Sequence, residues 1–311
     1  MKVLNFNNRN EWLQARSFGI GASECATVLG VNPWETRYQL WRRKMGIDPP
    51  KEENFAMRAG HYLEDAVAQF FAHDTGVHII QSSQADFMIV DDEKPYLRVS
   101  PDRTFWMQGE AHGNKNKCIL ECKTTQLEID KDNLPMHWFC QLQMNLGVSG
   151  YKRGALAWLT MGRQFDYKMI NFDAEFYAWI VDEVTKFWTE NILGKQEPEM
   201  HTVEDVILKY PTQTLGKTIE ATDEVLDELR QLKEVKDEMS SLDATKKQLE
   251  DSIKAAMEDA EAITKDGKPL VTWKAPKASE KFNEKRFATE QPQLYASYKE
   301  SVQGARRFLI K

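Results

Sequence analysis

Ser100-Pro101-Asp102 is followed, after 18 residues, by Glu121-Cys122-Lys123. In a strand, alternate residues share a face, so Glu121 and Lys123 point one way while Cys118, Leu120 and Cys122 point the other. The second set is apolar enough to be core. An acid and an amine two apart on one strand face are costly to bury without a reason. A divalent cation supplies one. Asp102 and Glu121 offer the hard oxygen ligands that Mg²⁺ takes while it keeps several waters. Lys123 would orient or help deprotonate a water and stabilise charge building on a phosphate. Upstream, Glu64 in Gly60-His-Tyr-Leu-Glu-Asp follows the apolar Tyr62 and Leu63, which turns its face inward. Singly, each has a plainer reading: a surface ion pair for Asp…Glu-x-Lys, a solvated helix residue for Glu64. The ordered set carries the information.

The elements that must hold these residues follow from periodicity. Glu11–Ala15 and Ser23–Leu29 read as helix starts, and Glu35–Met45 as a helix. Gly60–Thr75 reads as an amphipathic helix with Tyr62, Leu63, Val67, Phe70 and Phe71 on one face. Strand-like pieces follow at Phe87–Val90, Tyr96–Ser100, Cys118–Lys123 and Gly154–Leu159. Two long helices are expected at Met136–Leu146 and Ala174–Leu193. The order predicts an α/β or α+β fold, a sheet between layers of helix.

Several chemistries are excluded. There is no glycine loop followed by Lys-Ser/Thr, so no sign of a nucleotide-phosphate cradle. Cys25, Cys118, Cys122 and Cys140 form no paired CxxC knuckles, and the six histidines show no HExxH spacing. The aromatic stripe Phe172, Phe176, Tyr177, Trp179, Phe187 and Trp188 reads as core packing. So do Trp34 and Trp41, with stacking on DNA bases as the alternative. No window approaches the roughly 18–20 apolar residues of a membrane span. The N-terminal stretch has no apolar h-region, and four cysteines in 311 residues suit a reducing cytoplasm. The net charge of −7 excludes a generically basic nucleic-acid coat but not a DNA enzyme, whose metal-binding carboxylates are themselves acidic.

At these residues the sequence resembles the YqaJ-type viral recombinase nucleases, the phage lambda exonuclease group within the PD-(D/E)XK superfamily. The resemblance covers roughly residues 8–200. Its motifs are Trp12-x3-Arg16-x3-Ile20-x-Ala22-Ser23, Gly60-x3-Glu64, Ser100-Pro101-Asp102, Glu121-Cys122-Lys123 and Gln141-x-Gln143. It implies a restriction-endonuclease-like core with a central mixed sheet flanked by helices. It implies two Mg²⁺ ions, with Mn²⁺ able to substitute, hydrolysing DNA. Asp102, Glu121 and the Cys122 backbone carbonyl fall on metal ligands, and Glu64 on the carboxylate serving the second metal. Lys123 falls on the active-site lysine and Gln141 on a glutamine near the nucleophilic water. Arg16, Ser23 and Ser100 fall on a pocket for a DNA 5′-phosphate. The chemistry agrees, since Arg is a forked donor to phosphate and Ser23 stands near a helix N-terminus. The plainer readings are a surface salt bridge for Arg16 and an N-cap for Ser23.

The activity implied is 5′→3′ digestion of linear double-stranded DNA. It would leave 3′ single strands for a phage single-strand annealing protein, in the cytoplasm of a bacterial host. A homotrimer is implied as well. Alternatives are an endonuclease or single-strand nuclease of the same fold, or a non-catalytic scaffold that binds DNA ends.

Charge divides the rest of the chain. Residues 1–205, the nuclease-like stretch, carry 22 Lys+Arg against 29 Asp+Glu. Residues 206–219, a linker, carry two lysines and no acid. Residues 220–263 hold 6 against 14, and residues 264–311 hold 11 against 5. This predicts an acidic rod and a small basic module after the core. From Thr222 to Ala262 there is no Gly or Pro. Val225, Leu229, Leu232, Val235, Met239, Leu242, Leu249, Ile253, Met257 and Ala260 recur mostly at threes and fours. The rod reads as a long amphipathic helix, or a helical hairpin bending at Ser240-Ser241, packed on its own chain. The alternative is an intermolecular coiled coil. Ala262–Trp273 reads as two strands around Asp266-Gly267. In the basic end, Arg306 and Arg307 beside Phe308 are candidate DNA or partner contacts; a solvated β module is the plainer reading.

Overall fold

The computed structural model describes residues 1–49, 53–80, 87–160, 163–301, 304 and 306–310. Ala305 and Lys311 of the basic end lie outside them. The chain divides into two compact units, Met1–Lys209 and Tyr210–Lys311.

The first unit runs β1 (Lys2–Asn5), α1 (Arg9–Ser17), β2 (Ile20–Gly21), α2 (Ala22–Val28), α3 (Arg37–Lys44), α4 (Phe55–Thr75), β3 (His78–Ile80), β4 (Phe87–Val90), β5 (Leu97–Val99) and β6 (Arg103–Trp106). It continues through β7 (Lys117–Thr125), α5 (Met136–Ser149), β8 (Arg153–Thr160), β9 (Gln164–Asn171), α6 (Ala174–Lys186) and α7 (Val203–Lys209). The main sheet has the order β3-β6-β7-β8-β9, with β7 and β8 parallel and the other pairs antiparallel. A second sheet has the order β1-β4-β5-β2. This is the mixed α/β architecture expected, with helices on the sheet's faces.

Period-two alternation along β7 decides which side chains meet which helix. Cys118 and Leu120 join Val67, Ala68 and Phe71 of α4 in one apolar cluster. Ile119 joins Trp138, Leu142 and Leu146 of α5 in another. The sheet is therefore clad on both faces, and β7, buried from Cys118 to Glu121, runs through the centre. The parallel β7–β8 pair needs a crossover, which α5 supplies. At Gly147 of α5 a Cβ would stand 2.2 Å from the Tyr177 ring of α6, so only glycine lets those two helices approach this closely.

Several expectations are corrected. Helix α4 starts at Phe55 rather than Gly60, because Asn54 caps it by accepting from the Met57 N–H at 2.9 Å. Its buried stripe is Val67, Ala68 and Phe71, while Tyr62 is 84% exposed and Phe70 47%. The expected helix Ala174–Leu193 is regular only to Lys186 and continues as a wider, π-helical turn over Phe187–Leu193. Trp34 is exposed, with its ring edge-on to His137, and Trp179 is half-exposed; neither is core. Trp41 is buried and donates to the Asn191 carbonyl. Strands β1, β2, β3, β6 and β9 and helix α7 were not anticipated.

The second unit contains α8 (Asp223–Met257), β10 (Ala262–Lys265), β11 (Lys268–Thr272), α9 (Glu284–Glu290) and α10 (Pro292–Ser297). Thr222 caps α8 by accepting from the Val225 N–H, and Asp223 and Glu224 favour that end of the helix dipole. Helix α8 is unbroken through Ser240-Ser241, so there is no helical hairpin. Within the second unit, only Met257 of its 35 residues is buried. Strands β10 and β11 form the expected hairpin, with Asp266 at φ 52° and Gly267 at φ 75°, as a tight two-residue turn requires. The basic end carries two short helices besides this hairpin. Arg306 and Arg307 are exposed there, outside any helix or strand. Among the described residues, no helix is long and apolar enough to cross a membrane.

Candidate functional site

The register of β6 against β7 pairs Arg103 with Leu120, so one step earlier Asp102 lies across from Glu121. The Asp102 carboxylate accepts from the Cys122 backbone N–H at 2.7 Å, which fixes it at the strand end. Glu121, 1% exposed, points to the α5 face as period two demands. Three donors surround its carboxylate. Lys123 Nζ reaches Oε1 at 2.7 Å, Asn145 Nδ2 reaches Oε2 at 2.8 Å, and Gln141 Nε2 also donates to Oε1. Lys123 Nζ further donates to Gln141 Oε1 at 2.9 Å. Glu64 arrives from α4, on the other face of the sheet. It accepts from Arg103, which also binds Asp65 and the Asp102 carbonyl.

Three carboxylates in this space repel one another. Burial first, then the Asp102 charge, pushes Glu64 up to about 7 and Glu121 up to about 8. Burial works against the Lys123 charge, but Glu121 and Asp102 outweigh it and hold its pKa above the ordinary value. Lys123 and Arg103 therefore neutralise only part of the acidic charge. Among the described residues, no group of three or more His, Cys, Asp or Glu side chains stands arranged as metal ligands. The oxygens are engaged by Lys123, Gln141, Asn145 and Arg103. The donor set still fits a hard divalent cation: its ligands are all oxygens, and Glu64 and Glu121 both feel the Asp102 charge.

The structure thus brings Glu64, Asp102, Glu121, Lys123 and Gln141 together. It places Gln143 elsewhere: Gln143 is buried, donates to the Asn171 carbonyl and accepts from the Asp173 N–H, so it ties β9 to α6. Sequence reasoning missed Asn145 and Arg103. Asn145 is four residues after Gln141, on the same helix face, and that spacing was the available signal. Arg103 adjoins Asp102, but only the fold shows that it spans to α4.

Arg16 and Ser23 form a second locus. Arg16 donates to Ser23 Oγ at 2.6 Å. Ser23 is the second residue of α2 and not its cap; Gly21 takes the cap position. Ser100 is linked to Arg16 through Trp12, whose indole N–H reaches Ser100 Oγ at 3.2 Å and whose ring lies under the Arg16 guanidinium. Ser100 Oγ itself donates to the Phe87 carbonyl at 2.7 Å. Behind this locus, Glu24 is buried and binds Lys44 Nζ at 2.9 Å, Arg43 at 3.1 Å and the Gly21 N–H at 2.9 Å. Arg43 also pairs with Glu35. Burial opposes the Glu24 charge, but Lys44, Arg16 and Arg43 more than offset it and hold the carboxyl down at about 2.

A helix-clad mixed sheet with an acid, lysine and glutamine cluster around its central strand defines an α/β protein with a carboxylate-rich site. Residues 11–152 match the YqaJ-like viral recombinase domain. Over 315 residues the chain is 31% identical to the uncharacterized protein YqaJ of Bacillus subtilis (strain 168), covering 98% of this chain and 94% of that protein. The chain belongs to the YqaJ-like viral recombinase family. It is also similar to the alkaline exonuclease LHK-Exo of Laribacter hongkongensis, at 19% identity and a TM-score of 0.45 over 64% of this chain and 96% of that one. A phage related exonuclease from Haemophilus somnus 129PT matches at 11% identity and a TM-score of 0.40, over 57% of this chain and 96% of that one.

Proposed function

We propose that this chain is a Mg²⁺-dependent exonuclease acting on linear double-stranded DNA, digesting 5′→3′ and leaving 3′ single strands for an annealing protein. The observation that carries the reading is the convergence of Glu64, Asp102 and Glu121 with Lys123 and Gln141 on two faces of one strand end. Asp102, Glu121 and the Cys122 carbonyl would hold one metal, and Glu64 would serve a second. Bound Mg²⁺ would supply the positive charge the cluster lacks and polarise a phosphoryl oxygen. Lys123 and Gln141 share contacts with Glu121, so they can orient a water against a phosphate, with Lys123 holding or moving its proton. Arg16 and Ser23 supply donors for a terminal 5′-phosphate, and Arg16 is a forked donor suited to it.

The nuclease activity is assigned to the first unit. The second unit, with its acidic helix and basic end, is assigned to assembly or partner contact, Arg306 and Arg307 included. The test is digestion with Mg²⁺ or Mn²⁺ of linear and closed circular duplexes labelled at the 5′ or 3′ end of one strand. Early release of the 5′ label from linear DNA alone is the expected result. Cleavage of the circle would make the enzyme an endonuclease, and loss of the 3′ label first would reverse the polarity. No cleavage of any duplex with either metal would leave a DNA-binding scaffold.

A further inference from the structure

Helix α8 presents an apolar stripe to solvent. Val235 is 50% exposed, Met239 59%, Leu242 69% and Leu249 61%. An amphipathic helix of 35 residues, about 52 Å long, has no reason to stay unpartnered with such a stripe in water. Its spacing is that of a coiled coil. With Leu232, Met239 and Ile253 at heptad position a, Val235, Leu242 and Leu249 fall at d, and every interval is three or four except the seven from Leu242 to Leu249. Two charged residues interrupt the seam: Lys246 at a and Glu228 at d.

These charges choose the partner and its direction. In a parallel pair of identical helices, Lys246 would face the partner's Lys246, and Glu228 the partner's Glu228. The flanking g-to-e contact would set Glu238 against the partner's Asp243. All three are like-charge contacts, each made in or beside a buried seam. In an antiparallel pair centred between Met239 and Leu242, every one of them is separated. Met239 then meets the partner's Leu242, Leu232 meets the partner's Leu249, and Lys246 lies opposite the partner's Val235. At the flanks, e faces e, so Lys236 meets the partner's Asp243, and by symmetry this occurs twice. The window Leu232–Leu249 is complementary to itself when reversed.

We infer that α8 is the contact between two copies of this chain, paired as an antiparallel two-stranded coiled coil through the a and d seam from Leu232 to Leu249. A single lysine at an a position fixes register and strand number at some cost in stability. A pairing of this kind is isologous, so it closes at two copies. It rests on α8 alone and holds whether or not the first unit cleaves DNA.

The test is light scattering of the full chain across a concentration series. The chain is expected at twice its own mass, dissociating on dilution. Met239→Lys with Leu242→Lys should abolish the dimer while the Trp fluorescence and thermal unfolding of the first unit stay unchanged, since both residues are exposed. Direction is read from Asp243→Lys. Antiparallel pairing sets the introduced lysine against the partner's Lys236 and should weaken the dimer about tenfold. Adding Lys236→Asp should restore it. Parallel pairing would instead relieve the Glu238 contact and strengthen the dimer. A monomer at all concentrations, a trimer that survives the double-lysine variant, or a dimer tightened by Asp243→Lys would each overturn the inference.

Discussion

Replacing Glu24 by Gln keeps its shape and removes its charge from beneath the Arg16–Ser23 locus. The Glu24 side chain is 5% exposed and Lys44's is 4%, so solvent screens the pair little. Without the carboxylate, Lys44 keeps only the Gly19 and Arg16 carbonyls, at 2.6 and 3.3 Å, as partners for a buried ammonium. Removing one partner of a buried ion pair costs about 3–5 kcal/mol. The titration gives a similar size: a carboxyl held at about 2 rather than 4.5 contributes about 3 kcal/mol at neutral pH. The two agree only in order of magnitude, because burial also holds the Lys44 pKa below its ordinary value, which offsets part of the gain. A depressed carboxyl pKa stabilises above about 4.5, and that contribution is lost as pH falls toward about 2. Urea unfolding followed by Trp fluorescence should therefore show Glu24→Gln destabilised by about 3 kcal/mol at pH 7, with the gap narrowing by pH 3. A gap under about 1 kcal/mol at pH 7, or one as large at pH 3 as at pH 7, would falsify the electrostatic account and leave Glu24 as a packing residue.

At the carboxylate site, Asp102→Ala or Glu121→Ala should abolish cleavage in single-turnover assays while filter-binding affinity for DNA stays nearly unchanged, since phosphate contacts dominate affinity. More than a tenth of the wild-type rate in either variant excludes the assignment. Lys123→Ala should lower the rate about 10²–10⁴-fold; an unaltered rate would make it only the ion-pair partner of Glu121. Arg16→Ala should slow digestion of 5′-phosphorylated ends about ten- to a hundredfold more than of 5′-hydroxyl ends, the worth of one charge-assisted hydrogen bond. Equal losses on both ends would remove Arg16 from phosphate recognition. A chain ending at Lys209 should keep its rate on short duplexes but lose the dimer seen by light scattering; a folded yet inactive truncation would place residues of the second unit in the catalytic machinery.

Much of the first unit was legible because its signals are local. Alternation along Lys117–Thr125 put Glu121 and Lys123 on one face and Cys118 and Leu120 on the other, and the two apolar clusters follow that division. The Asp266-Gly267 hairpin was equally local, set by turn chemistry within a few residues. Strands β3 and β6 escaped because β3 is held by pairing with β6 and β6 by pairing with β7, and a short strand has little intrinsic signal of its own. Tyr62 and Phe70 were placed on the wrong side because apolar type alone does not say which arc of α4 meets the sheet. What tertiary structure alone decided is the company each charge keeps. Arg103 spans from β6 to Glu64, Asn145 completes the shell of Glu121, and Trp12 stands between Ser100 and Arg16. Those contacts join residues 39, 24 and 88 positions apart, distances over which no sequence periodicity acts and only the closing of the sheet brings side chains into reach.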